Sequence, residues 1–205
     1  GAAWAARLAP AGRIGGDFYD LVPLDDQQWL LLVADVSGKG IPAAMALSTL
    51  RQTFRMLAAA SHDPGDVLTH LSAALHEQWQ GMPYLTALVA RVDLASGMLH
   101  YANAAHPPGV IVGPSGIRTL DSLGPPAALF PAMIYDERSV PIQPGDVCVV
   151  VTDGVTEALG DTANDIVAGI AAIGPTDATR ARRICDALTT AAGLGPGPDG
   201  IEGWE

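Results

Sequence analysis

Asp17, Asp35 and Asp153 stand in one recurring context. Asp17 follows Gly15-Gly16. Asp35 ends the apolar run Leu30–Ala34 and leads into Val36-Ser37-Gly38-Lys39-Gly40. Asp153 closes the run Val147–Thr152 and is followed by Gly154. A carboxylate at the end of a buried strand is costly unless it is paired, hydrogen-bonded or bound to a metal. Neighbouring glycines leave backbone carbonyls and amides within reach. Such a set suits a hard divalent cation, Mg²⁺ or Mn²⁺, held by a few carboxylates, a carbonyl and waters. Read singly, each Asp is a turn or capping residue after a strand. Only a fold that brings distant segments together can give the three a joint role.

Two other readings of these stretches fail on detail. Gly15-Gly16-Asp17-Phe18 begins like the GGDEF signature of diguanylate cyclases, but Phe18 stands where an acid is needed. Ser37-Gly38-Lys39-Gly40 looks like the end of a phosphate-binding P-loop. The first glycine of that motif would fall on Val33, and Gly40 stands where Ser or Thr is required.

The elements that must position the acids can be read from pattern. Residues 2–11 and 28–36 read as strands, with Asp25-Asp26 as a turn between them. Pro42 opens an Ala/Leu/Met-rich helix to about Ala60, with Arg51 and Arg55 on its polar face. Asp63 can cap a helix from Pro64 to about Trp79. Residues 84–93 and 98–103 form a hairpin around Ala95-Ser96-Gly97, and 110–112 with 117–120 form another. Pro144-Gly145-Asp146 launches a strand over 147–152, and a last helix covers Thr176–Ala192. The whole reads as one α+β domain over residues 1–205.

Bulk properties exclude several classes. The chain has 205 residues, 49 % apolar and 16 % charged, which is enough for a core and rules out wholesale disorder. A net charge of −11 argues against a nucleic-acid binder. It leaves an anionic substrate open, because bound cations reverse the local field. Cys148 and Cys185 form no CxxC or Cys/His cluster, so no zinc site is expected. There is no signal peptide and no apolar run near the ~20 residues of a membrane span, which points to the cytoplasm. The abrupt first and last residues, Gly1 and Glu205, suggest a fragment of a longer protein.

Five motifs then stand in register: GGDFYD at 15–20, ADVSGKGIPAAM at 34–45, ANAAHPP at 102–108, PGD at 144–146 and TDGVTEA at 152–158. With these the chain resembles the metal-dependent type 2C (PPM) serine/threonine protein phosphatases, in the SpoIIE/RsbU-like branch, over nearly its whole length. The resemblance implies an α-β-β-α sandwich of two antiparallel sheets. It implies a site at one edge with two Mn²⁺ or Mg²⁺ ions. Asp17 would hold one metal, Asp35 would bridge both with the Val36 carbonyl as a further ligand, and Asp153 would bind the other. Water activated by the ions would hydrolyse phosphoserine or phosphothreonine without a phosphoenzyme. The implied substrate is a phosphorylated anti-sigma-factor antagonist, a STAS-type domain, and the implied parent carries an upstream sensor. A homodimer is compatible with that picture.

Other motif members have two readings each. Asp20 supports the metal shell or caps a turn. Asn103 and His106 are site residues or a structural hydrogen-bonding loop beside the site. Arg13 reaches the phosphate or lies on the surface, and Lys39 faces substrate or solvent. Gly16, Gly38 and Gly154 support the backbone around the acids. Two departures from the family pattern stand out. Ala105 replaces the usual glycine, a tolerable change if φ is negative there. No Asp-Asp pair follows Asp153, Asp199-Gly200 being the nearest candidate. The second metal site is then expected to lack a ligand, and the competing reading is a phosphatase-like module that binds protein without hydrolysis.

Overall fold

The computed structural model describes residues 2–8, 15–38, 41–80, 82–159 and 179–193. Its strands are β1 (Asp17–Pro23), β2 (Gln28–Val36), β3 (Leu85–Asp93), β4 (Met98–Ala104), β5 (Gly109–Gly113), β6 (Gly116–Leu120), β7 (Arg138–Pro141) and β8 (Val147–Val149). Its helices are α1 (Ile41–Ala60), α2 (Pro64–Trp79), α3 (Asp153–Leu159) and α4 (Arg180–Ala191). A five-stranded sheet runs β1-β2-β3-β4-β7 and a three-stranded sheet runs β6-β5-β8, with every pairing antiparallel.

Alternation along β2 explains the layering. Leu30, Leu32, Ala34 and Val36 are all buried, in one core with Leu50 and Phe54 of α1 and Leu68, Leu71 and Leu75 of α2. The even positions of β2 therefore face the helices, and the odd positions, Asp35 among them, face the other way. On that inner side Leu88, Ala90, Leu99 and Tyr101 of the large sheet pack on Ile111 and Leu120 of the small one. The outer face of the small sheet gives Val110 to Ile184 and Leu188 of α4. The order is helices, sheet, sheet, helix, as the resemblance implies. Each fully buried leucine contributes about 1.5–3 kcal/mol by leaving water.

Local signals place the helices. Asp63 caps α2 by accepting from the Asp66 N–H at 3.0 Å, and Pro64 opens the helix where a missing N–H costs nothing. Asp20 of β1 reaches the other way across the layer, to Arg55 of α1, with Nε and Nη2 donating to its two oxygens at 2.7 and 2.8 Å.

Several elements differ from the sequence expectation. Residues 2–8 form no strand; Arg7 makes a single bridge and an ion pair to Asp186 of α4 at 2.6 Å. The Ala-rich composition there gives little to hold a pleat. Residues 17–23 are the edge strand instead, because Phe18, Tyr19, Leu21 and Val22 suit a pleated surface and Asp17 only begins it. The strand expected over 147–152 ends at Val149, and α3 starts at Asp153. β7 was not expected. The last helix is described from Arg180; residues 176–178 lie outside the described residues, as do 9–11 and 194–200. Both cysteines are free.

Candidate metal centre

β1 and β8 are edge strands of their respective sheets. The three acids meet where the start of β1, the end of β2 and the segment after β8 come together. Asp17 is the first residue of β1 and pairs directly with Asp35 near the end of β2. Direct cross-strand partners project to the same face, here the inner one. Asp153, the first residue of α3, arrives from the small sheet four residues after β8. One carboxylate oxygen from each lies within 4.8 Å of the others.

The backbone closes around this cluster. The Val36 N–H donates to the Gly16 carbonyl at 3.0 Å. A Cβ on Gly16 would lie 2.2 Å from the Val36 carbonyl oxygen and 2.7 Å from Asp35 Oδ1. Gly16 is therefore needed for close approach, and the Val36 carbonyl and the Asp35 carboxylate open onto the same small space. Gly38 has φ +104, a conformation that favours glycine, and lets the chain turn away after β2. Ser37 anchors that turn: its N–H donates to the Tyr84 carbonyl at 2.8 Å, and its hydroxyl accepts from the Tyr84 N–H at 3.0 Å. Gly154 has open space where a Cβ would go, so no steric need for glycine is visible there.

Electrostatics mark the cluster as strained. Burial raises the Asp17 pKa; a hydrogen bond from the Thr152 hydroxyl pulls it back, and the Asp153 charge adds to the rise. Asp35 is pushed up to about 6, by burial first and then by the charges of Asp17 and Asp153. Three converging carboxylates and a backbone carbonyl are an all-oxygen donor set. Such a set fits a hard divalent cation, which would relieve both the burial and the repulsion.

The other candidate residues separate. Asp20 is buried but lies on the opposite face of β1, where Arg55 holds it and Arg51 lies 3.9 Å away. Asn103 and His106 are both buried. The Asn103 amide donates to the carbonyls of His106 at 3.1 Å and Leu120 at 3.0 Å, and its oxygen accepts from the His106 N–H at 2.8 Å. This is a closed hydrogen-bonding loop. Within it Ala105 has φ +55, so the negative φ that would ease the loss of glycine is not what the chain adopts. Arg13, Lys39 and the Asp199-Gly200 pair lie outside the described residues. Sequence reasoning missed Thr86 and Thr152; a lone threonine in a strand or at its end carries no signal of its own.

The four layers and the acid cluster define a PP2C-type architecture. The chain superposes on the PP2C phosphatase domain of the cell-fate determinant SpoIIE from Bacillus subtilis with a TM-score of 0.76 at 15 % identity, covering 93 % of this chain and 58 % of that one. With the RsbU and RsbW domains of Rv1364c from Mycobacterium tuberculosis the TM-score is 0.75 at 28 % identity, covering 97 % and 56 %.

Residues 25–199 match the family described as Stage II sporulation protein E (SpoIIE), and the chain belongs to that family. It is 29 % identical over 150 residues to the phosphoserine phosphatase RsbU of Bacillus subtilis (strain 168), covering 72 % of this chain and 44 % of that protein. To protein IcfG of Synechocystis sp. it is 29 % identical over 186 residues, covering 77 % and 29 %. The chain spans less than half the length of these curated relatives. Among the described residues no helix is long and apolar enough to cross a membrane.

Proposed function

We propose that this chain is a metal-dependent phosphatase domain that removes phosphate from serine or threonine of a regulatory protein. The observation that carries the reading is the convergence of Asp17, Asp35 and Asp153 within 4.8 Å. Asp17, Asp35, Asp153 and the Val36 carbonyl would hold Mn²⁺ or Mg²⁺, two ions by family resemblance. When bound, the ions acidify water and neutralise charge on the phosphoryl group. The chain's own residues supply the rest. The Thr152 hydroxyl favours the ionised form of the Asp17 carboxylate. Gly16 leaves the Val36 carbonyl uncovered. Burial holds His106 near pKa 4, so it is neutral at pH 7 and serves no role as a cationic acid. Arg13 and Lys39 are the proposed substrate contacts.

For the substrate we propose a phosphorylated STAS-type antagonist of an anti-sigma factor, with a homodimer as the proposed assembly. The naming of RsbU as a phosphoserine phosphatase supports the chemistry. The test is release of phosphate from a phosphoserine protein with Mn²⁺. Hydrolysis that needs Mn²⁺ and disappears in Asp35→Ala is expected; hydrolysis indifferent to both would sink the reading. Light scattering on the purified chain tests the dimer.

A second reading, a phosphatase-like module that binds without hydrolysing, draws on one observation. The cluster holds three carboxylates among the described residues. It predicts that the phosphoprotein binds and stays phosphorylated.

A further inference from the structure

Asp17, Asp35 and Thr86 form a row across three neighbouring strands. Asp35 is the direct partner of Asp17 on one side and of Thr86 on the other. All three project from the inner face of the large sheet. Thr86 Oγ1 lies 2.9 Å from Nδ1 of His106. His106 is 1 % exposed and sits on the passage from β4 to β5, where the chain leaves the large sheet for the small one.

The far side of the ring faces the small sheet. The Val151 carbonyl acts on the imidazole from the segment between β8 and α3, favouring its protonated form. Nε2 makes no hydrogen bond to any described residue, so that carbonyl is an electrostatic neighbour and not an acceptor. A neutral imidazole offers one donor and one acceptor. The Thr86 hydroxyl can play either part, so it satisfies Nδ1 in both tautomers. Asn103 fixes the backbone of His106 from behind through the 2.8 Å and 3.1 Å bonds.

We propose that His106 is a positioning residue that sets the spacing of the metal-binding acids across the two sheets. It touches Thr86, the strand partner of Asp35, on one side, and on the other it faces Val151, two residues before Asp153. The inference rests on the metal-centre reading above. Three carboxylates that repel one another do not hold a cation-sized gap unaided, and a rigid, buried ring between their supporting segments does so. Residues in this supporting role change metal affinity without touching the metal, by about 10–100-fold in known sites.

The test measures Mn²⁺ affinity by the electron paramagnetic resonance signal of free Mn²⁺, together with metal-free thermal unfolding. The variants are Thr86→Val, Thr86→Ser, His106→Leu and Asp35→Ala. The expected result is that Asp35→Ala abolishes binding and that Thr86→Val and His106→Leu weaken it by about 10-fold or more. Thr86→Ser, which keeps the hydroxyl, should recover to within a factor of about 3, and Thr86→Val should unfold close to the wild-type midpoint without metal. If His106→Leu does not fold, the Thr86 pair decides. The inference is overturned if folded Thr86→Val binds Mn²⁺ within twofold of wild type, or if Thr86→Ser is as weak as Thr86→Val. Wild-type protein that binds no Mn²⁺, or Asp35→Ala that binds it normally, overturns the metal centre itself and this inference with it.

Discussion

Asp17 and Asp35 face each other directly across β1 and β2, so two repelling carboxylates share one face of the sheet edge. Without metal the pair destabilises the fold; on the proposed reading it anchors the metal. Asp35→Asn is therefore expected to separate the two effects. Mn²⁺ binding and phosphate release should fall by at least about 100-fold, since a ligand matters more than the groups behind it. Metal-free protein at pH 7 should become more stable. Asp35 is only partly buried, so screening keeps the gain to order 1 kcal/mol, or about 2–4 °C in the thermal midpoint. Calorimetry with EDTA and Mn²⁺ titration check both halves.

The same site gives a pH dependence whose sign can be worked out. Asp35 is pushed from 3.8 to about 6 in the folded chain. Between those values the folded chain holds a proton that the unfolded chain has released. Its contribution to metal-free stability is present below the lower value and is lost as pH rises through the upper one. Burial lowers His106 from 6.5 to about 4, which acts oppositely: its contribution is present above 6.5 and lost as pH falls. The wild-type profile is the sum of opposed slopes. The difference between wild type and Asp35→Asn isolates the carboxylate, and it should grow against wild type from pH 4 to 6 and then flatten. Urea unfolding in EDTA across that range measures it.

Gly16→Ala tests the close approach of backbone to cluster. The new Cβ would stand 2.2 Å from the Val36 carbonyl oxygen, which is backbone and cannot swing aside. The chain must shift, at a cost of about 1–3 kcal/mol. The shift moves the carbonyl and Asp35 together, so Mn²⁺ affinity should drop by about 10-fold or more. Gly154→Ala, where the space is open, should leave affinity unchanged.

How far the sequence could be read differs between these parts of the molecule. The hairpins and α2 were legible because alternation, a capping Asp63 and Pro64 are local signals. The three acids of the cluster were legible because Asp35 and Asp153 end apolar runs and each of the three lies within three residues of a glycine. β1 was not, because Gly15, Gly16 and Asp17 looked like loop and hid the strand that begins there. The partition of Asp17 and Asp20 onto opposite faces depends on that strand, so Asp20 remained ambiguous. Thr86 and Thr152 were invisible, since their meaning comes wholly from pairing and from the junction after β8. Ala105 was misjudged because no side-chain pattern reports φ; the turn is set by the Asn103–His106 hydrogen bonds.

Asp20 and Arg55 offer a test of whether Asp20 serves the helix or the metal. The carboxylate is buried and held by both Arg55 nitrogens. Arg55→Ala leaves it without that fork, and Arg51 at 3.9 Å is a poor substitute. The expected loss is about 1–3 kcal/mol of stability, with α1 loosened from the sheet. Mn²⁺ affinity should stay within a factor of about 3, because Asp17 faces the other way. Lost Mn²⁺ binding at unchanged stability would instead put Asp20 in the metal shell.

Ala105 sits at φ +55 between Ala104 of β4 and the buried His106. An L-residue in that region carries a steric cost of about 1–2 kcal/mol, because Cβ crowds the following carbonyl oxygen. Glycine escapes it but loses about 0.5–1 kcal/mol to its greater freedom in the unfolded chain. Ala105→Gly should therefore stabilise by up to about 1.5 kcal/mol, the difference of those two terms being about 0–1.5. The loop's shape is held by bonds that do not involve the Ala105 side chain: its N–H donates to Ser122 Oγ at 3.0 Å, and Asn103 clamps His106 on both sides. Metal affinity should then be unchanged. Ala105→Val, β-branched in the same conformation, should lose stability. Opposite signs for Gly and Val in urea unfolding would establish that the backbone here is set by the hydrogen-bonded loop and that the alanine is strained to fit it.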